Sequence, residues 1–404
     1  MTDLRSKFAH YLCQTSTNPL GLVVERAQGS TIYTTDGREY LDFVSGIAVT
    51  NVGFTHPAVV EAVKAQAEKY LHVMVYGEYV QAPQVELAER LASVLPDPLH
   101  VVYFTNSGTE ANEGALKVAK KFTKRRKLIA FDKSFHGDTH GAASLLGNPA
   151  YRCPYEPLLP DVEFLPFDET TALERIDETV AAVMIEPIQG EAGVRVPSDE
   201  FLPALRQRCD EVGALLIFDE VQTGCGRTGK LFALEHWNIV PDIITLAKGL
   251  GGGMPLGAFV GSAEVMRTLS EDPPLSHVTT FGGHPVCCAA GLASLNIILE
   301  QNLPQRAATL GEQIRERLEM TGKSANWGID VRGKGLMLAV EFPTAAQAIA
   351  AMERALQEGL ILTTFLHADN ALRLAPALTI SEAELHKGLD VLERAMQVVN
   401  RPVV

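Results

Sequence analysis

The chain has no uninterrupted apolar stretch of the roughly 18 residues that a bilayer span requires, and its start, Met1–Leu20, is mixed and polar, without the apolar centre of a secretory signal. A protein that neither crosses a membrane nor is exported is the expectation. Positive charge is in deficit. Against 49 Asp and Glu stand 35 Lys and Arg, a formal net charge of −14, which argues against nucleic acid or an anionic membrane surface as the main partner. Cysteine is sparse, and the six (13, 153, 209, 225, 287, 288) lack the spacing of metal ligands. Cys287 and Cys288 sit in an Ala-rich helical pattern and read as small core residues. A reduced, cytoplasmic protein without a bound metal follows. Neither a repeat nor a low-complexity segment is present.

What is present is a large core. The 404 residues are 46% hydrophobic, enough for two or three domains. Short apolar runs alternate with helical patterns through the middle. Strands are expected at Val101–Thr105, Lys127–Phe131, Ala182–Glu186, Leu215–Asp219, Ile243–Leu246 and Ala258–Gly261, with helices at Glu110–Thr123 and Glu200–Val212 between them. That alternation predicts an α/β fold with a mostly parallel central sheet and helices on both faces. From about Ala289 the pattern changes to long helices at Gly291–Leu299 and Pro304–Met320. Strand-like Leu336–Glu341, Leu360–Thr363 and Leu372–Ala375 follow, with helices Thr344–Glu358 and Ser381–Val399. This reads as a smaller α+β unit. The expected division is residues 56–295 for the large domain and 296–404 for the small one. An N-terminal segment, 1–55, carries hairpin-like Gly21–Phe43 and packs with the small domain.

Ligands of such sheets bind at the carboxyl ends of the strands. Lys248 stands there, after the apolar run Asp242–Leu246 and before glycines 249, 251, 252 and 253. A lysine with open space around its amine can form a Schiff base with an aldehyde cofactor when its pKa is tuned. Asp219 closes another apolar run, and an aspartate there can pair with a pyridinium nitrogen. Lysine and aspartate together are the signature expected of pyridoxal phosphate chemistry. Upstream, Ser107-Gly108-Thr109 opens a helix whose free N–H groups and dipole suit a phosphate, with the Ser107 and Thr109 hydroxyls as further donors. The same residues also suit a plain helix cap. Phe135, ahead of His136 and Gly137, offers a flat face to a ring, and Val221 an apolar contact on the opposite face. Gln222 is placed to bond a ring hydroxyl. Two lookalikes carry little weight. Gly224–Lys230 fits the first seven places of a nucleotide-binding P-loop, but Leu231 has no hydroxyl for magnesium. His136 and His140 are spaced like metal ligands, yet Gly137 and Gly141 weaken the helix that would align them.

These residues bring the chain close to a known family. It resembles the class III (ω-amino acid) aminotransferases, pyridoxal-phosphate enzymes of fold type I. The matching stretches are Leu41–Gly46, Gly53–Pro57, Thr105–Glu113, Phe135–Thr139, Glu186–Val194, Phe218–Lys230, Pro241–Gly257, Thr280–Pro285, Arg332–Gly335 and Arg373–Leu378. They span nearly the whole chain in family order. The resemblance implies a ping-pong transaminase of the EC 2.6.1 type. Lys248 would carry the cofactor, pyridoxal 5′-phosphate, and shuttle the substrate proton. Asp219 would meet the ring nitrogen and Gln222 the ring oxygen, with Phe135 and Val221 on the two ring faces. Gly108 and Thr109 would hold the phosphate, and His136 and Glu186 would lie near the cofactor. It also implies a homodimer with shared active sites, or a tetramer made of two such dimers, in which Thr280 reaches the other subunit's phosphate.

For substrate, Glu191 and Arg373 resemble the switch pair of acetylornithine and ornithine aminotransferases. There the arginine grips a substrate carboxylate and the glutamate covers it otherwise. The expected partners are a small amino donor and a 2-oxo acid acceptor. One departure is Asp138, where those enzymes typically have arginine. The Phe135–Thr139 stretch instead resembles diaminopelargonate and some amine:pyruvate aminotransferases, so pyruvate gains ground over 2-oxoglutarate. A diamine- or diaminopelargonate-type ω-transaminase is the alternative, with a class III aminomutase or decarboxylase behind it. Ala377 replaces the second proline of the family's Arg-x-x-Pro-Pro-Leu, a packing change.

Overall fold

Runs that are apolar at consecutive positions belong in strands covered on both faces. Val180–Ile185 and Leu215–Asp219 are buried at every residue, and they lie at the heart of a seven-stranded sheet in the computed structural model. The structure describes residues 4–325 and 327–399. The outermost positions of the terminal units expected from the sequence, 1–3 and 400–404, lie outside the described residues. Across the sheet the order is Val101–Thr105, Gly257–Gly261, Ile243–Leu246, Leu215–Asp219, Val180–Ile185, Lys127–Phe131, Val162–Leu165. Neighbours are parallel from Ile243–Leu246 onward. Only Gly257–Gly261 runs against both its neighbours.

Both faces are covered. Ala115, Leu116, Val118 and Ala119 of the helix Gly108–Thr123 pack on Leu128, Ala130, Met184, Ile217 and Phe259. On the other face, Phe201, Leu202 and Leu205 of the helix Phe201–Val212 join Phe131, Val183 and Phe218. The expected α/β architecture with a mostly parallel sheet is the observed one. Val162–Leu165 escapes the sequence pattern because it is an edge strand, part exposed and carrying Glu163, so its apolar signal is thin.

Two four-stranded sheets complete the fold. One joins Val24–Gln28, Thr31–Thr34 and Glu39–Asp42 to Leu360–Ile361, and the other runs Asp330–Lys334, Met337–Glu341, Ala371–Leu374, Thr363–Thr364. The single strand expected over 360–363 is therefore two. Leu360–Ile361 pairs in parallel with Leu41–Asp42, and Thr363–Thr364 pairs antiparallel with Leu372–Arg373. Leu362, buried between them, is where the chain changes sheet. Among the described residues no single helix is long and apolar enough to cross a membrane.

Candidate active site

Parallel strands deliver their last residues to one side. Asp219 ends its strand, Glu186 and Lys248 follow theirs by one and two residues, and Ser107 and Phe135 come a little later. They meet in a cavity of about 400 Å³ lined by Ser107, Gly108, Thr109, Phe135, His136, Glu186, Asp219, Val221, Gln222 and Lys248. A larger hollow of about 1300 Å³ opens beneath the helix Leu4–Tyr11, none of whose residues is buried. Its walls are mostly apolar, with only Arg5 and Asp42 charged, so the chemistry belongs to the smaller cavity.

Ser107 caps the helix Gly108–Thr123 by accepting from Glu110 N at 3.3 Å. The helix's first N–H groups, on Gly108 and Thr109, have no intrahelical acceptor. The Thr109 hydroxyl is otherwise engaged. Glu113 Oε1 accepts from Thr139 Oγ1 at 2.6 Å, Gly141 N at 2.8 Å and Ala142 N at 3.2 Å. A carboxylate only accepts, so the Thr139 proton goes to Glu113. In the 2.7 Å contact between the two threonines, Thr109 is then the donor. The Thr109 hydroxyl, expected from the sequence to face a phosphate, gives its proton to Thr139 in this arrangement. The donors left for an anion are the backbone N–H groups of Gly108 and Thr109 and the Ser107 hydroxyl.

At the other end, Asp219 is held rigidly. Its Oδ2 accepts from Asn112 Nδ2 at 2.8 Å and from His136 Nδ1 at 2.7 Å, and its Oδ1 from Val221 N at 3.0 Å. The carboxylate fixes the His136 tautomer with hydrogen on Nδ1, and His136 Nε2 is buried with no hydrogen-bond partner among the described residues. Asn112 and Glu113 escaped the sequence reading. Asn112 had a signal, a polar residue among Ala111, Ala115 and Ala119 on the buried face of its helix.

Lys248 adopts φ +45°, in the left-handed region where a non-glycine residue is strained. Burial lowers its pKa; the nearby Arg373 adds to that, while Glu191, Asp219 and Glu186 oppose it. Burial likewise pushes Glu186 up to about 7, although its carboxylate accepts from Phe135 N and Gly190 N, each at 3.0 Å. Glu191 and Arg373 form a buried, charge-assisted pair: Arg373 Nη2 donates to both carboxylate oxygens at 2.7 and 2.9 Å. Burial works against the ionised Glu191, and Arg373 outweighs it, holding the carboxyl below its ordinary range. The Arg373 guanidinium lies 4.5 Å from the centre of the Phe365 ring.

The residues present fit a phosphorylated pyridine aldehyde. A buried carboxylate, the N–H groups of a helix start and a half-buried lysine on a strained backbone share the cavity lining. Two expected site residues stand apart. Asp138 is exposed and outside the cavity lining, and so is Thr280 within one chain. The lookalike motifs have other roles. Arg227, in the P-loop-like stretch, is fully buried and donates to the carbonyls of Leu336 and Pro376. His136 is buried on Asp219 while His140 is exposed.

Comparison with known proteins agrees with this geometry. The family model for aminotransferase class-III matches residues 12–396. An acetylornithine aminotransferase of Methanopyrus kandleri is 44% identical over 371 residues, 92% of this chain and 93% of that one. A putrescine aminotransferase of Pectobacterium atrosepticum is 42% identical over 395 residues, covering 94% and 83%. Among solved structures, an ornithine aminotransferase from Toxoplasma gondii, with partial occupancy of PLP at its active site, superposes with a TM-score of 0.91 at 30% identity, over 98% of this chain and 94% of that one.

Proposed function

The chain belongs to the class III aminotransferase family and is a pyridoxal-phosphate-dependent transaminase; on that footing we propose that it takes the amino group of an acetylornithine- or ornithine-like donor and passes it to a 2-oxo acid. The observation that carries the reading is the buried Glu191–Arg373 pair behind the cavity. When bound, the cofactor supplies an electron sink for the carbanion left as a substrate carbon loses its proton. Lys248 would hold the cofactor through its amine and would serve as the base that takes and returns that proton. Burial lowers its pKa and so favours the neutral amine that such a base needs. Asp219, fixed by Asn112, His136 and Val221 N, would keep positive charge on the ring nitrogen. Phe135 and Val221 would flank the ring, and Ser107 with the N–H groups of Gly108 and Thr109 would hold the phosphate. Arg373 binds the carboxylate of donor or acceptor after Glu191 gives way.

A homodimer completes this picture. Leu71, Val73, Tyr76, Tyr79 and Val80 are exposed on one short segment, and His72 within it lies 5.0 Å from the Phe281 ring, next to Thr280. An apolar patch of that kind favours a second copy, whose Thr280 would reach the phosphate. All six cysteines are free thiols, in keeping with a cytoplasmic setting.

A specific observation favours diamines as second donors. Glu191 already neutralises Arg373, so a donor without a carboxylate meets a closed pair and no bare cation. The test is a panel pairing acetylornithine, ornithine and putrescine with pyruvate or 2-oxoglutarate, run beside Lys248→Ala. Carboxylate-bearing donors should lead, with activity lost on the order of 10⁴-fold in Lys248→Ala together with the cofactor's visible absorbance. Donors that react equally well in Arg373→Ala would sink the carboxylate reading.

A further inference from the structure

The bond from Arg373 fixes which end of the Gln222 amide meets the guanidinium. Arg373 Nη1 donates to Gln222 Oε1 at 3.1 Å, while Nη2 of the same guanidinium donates to Glu191. A guanidinium has only donors, so the carbonyl must be the end of Gln222 turned to Arg373, and its NH₂ is the end left over. Gln222 also lines the cavity. Gly190 closes the third side. A Cβ there would fall 2.5 Å from Gln222 Nε2 and 2.8 Å from Cδ, so the amide lies against bare backbone. That backbone is itself anchored, its N–H bonded to Glu186 and its next residue being Glu191.

We propose that Gln222 is a positioning residue that couples carboxylate recognition to the cofactor: its carbonyl holds one arm of Arg373 while Glu191 comes and goes, and its NH₂, pinned by that same bond, is a donor of fixed polarity offered to the cofactor's ring oxygen. The proposal rests on the cofactor reading given above. It follows that Arg373, which does not line the cofactor cavity, sets the hydrogen bonding of the ring through Gln222. Gly190 belongs to the same device, because any side chain there displaces the amide.

The test uses purified holoenzyme, without substrate for the spectra and cofactor binding and with substrate for the kinetics of Gln222→Ala. Absorption spectra and cofactor dissociation constants are recorded for wild type, Lys248→Ala, Gln222→Ala, Arg373→Lys and Gly190→Ala, with circular dichroism to verify folding. Arg373→Lys keeps the charge but loses the two-armed fork. Arg373→Lys and Gly190→Ala should move the absorption maximum in the same direction as Gln222→Ala, and each should weaken cofactor binding about tenfold, the effect of one lost hydrogen bond. Gln222→Ala should also raise KM for the 2-oxo acid about tenfold with a smaller change in kcat, because Arg373 loses its brace. Wild-type spectra in both Arg373→Lys and Gly190→Ala, beside a shifted spectrum in Gln222→Ala, would overturn the coupling and leave the cofactor reading standing. A band that survives in Lys248→Ala would overturn the cofactor reading, and the coupling with it. Should Arg373→Lys not fold, the Gly190→Ala spectrum decides alone.

Discussion

Glu186 sits near the midpoint of its own titration at neutral pH. Burial lifts its carboxyl to about 7, with His136 working against the rise and Asp219 adding to it. A folded-state value above the unfolded one gives stability that is present in full below about 4.5 and lost as pH climbs through about 7. The melting temperature of the cofactor-free protein should therefore fall between pH 5 and pH 8. Glu186→Gln should flatten that fall by up to about 3 kcal/mol, at about 1.4 kcal/mol per pKa unit. An unchanged slope in the variant would assign the titration to Glu220 or Asp42, which burial also raises, to about 7 and about 6. At the phosphate end, Gly137 has φ +119°, and a Cβ there would fall 2.3 Å from Thr109 Cβ and Oγ1. Gly137→Ala should cost about 2 kcal/mol of stability and weaken cofactor binding at least tenfold, read by calorimetry and by fluorescence titration.

Among the elements, those that carry the chemistry were the easiest to read. Leu215–Asp219 and Ile243–Leu246 are central, buried throughout and mostly apolar, and they are stopped by Asp219 and the glycines after Lys248, so pattern and punctuation coincide. Val162–Leu165 and Asp330–Lys334 were illegible because edge strands need little apolar surface. The break at Leu362 was illegible for another reason. Every residue of Leu360–Ile361 and Leu362 is buried, so hydrophobicity is continuous where the hydrogen bonding changes sheet. The site divides similarly. Lys248, Asp219 and Gln222 stand at strand ends where position implies chemistry. Which way the Thr109 hydroxyl points depends on Glu113 and Thr139, and a proton count of that kind needs distances. The Gln222–Arg373 bond joins the turn after Leu215–Asp219 to a strand of another sheet, a contact that no local spacing encodes.

At the scale of the whole molecule, Arg227 ties the parts together. Fully buried, it donates to the carbonyls of Leu336 and Pro376 and to Asn51 Oδ1, so one side chain bridges stretches of chain more than 100 residues apart in sequence. Arg227→Met keeps the stem and strands three acceptors. It should cost about 3 kcal/mol, measured by denaturant unfolding, with cofactor binding weakened in step. On the outside, Val80 is 94% exposed within the apolar segment beside Phe281. Val80→Asp should shift sedimentation toward a monomer and remove activity, while the circular dichroism spectrum stays that of a folded chain. An active, dimeric Val80→Asp protein would remove this segment from the subunit contact.

The parallel pairing of Leu41–Asp42 with Leu360–Ile361 has a consequence for how the molecule is made. As the chain leaves the ribosome, residues 39–42 emerge with one backbone edge unsatisfied, and the strand that seals it is translated about 320 residues later. For most of synthesis that edge is open to any stray strand nearby, so the nascent enzyme is most exposed to aggregation just before its last tenth is complete.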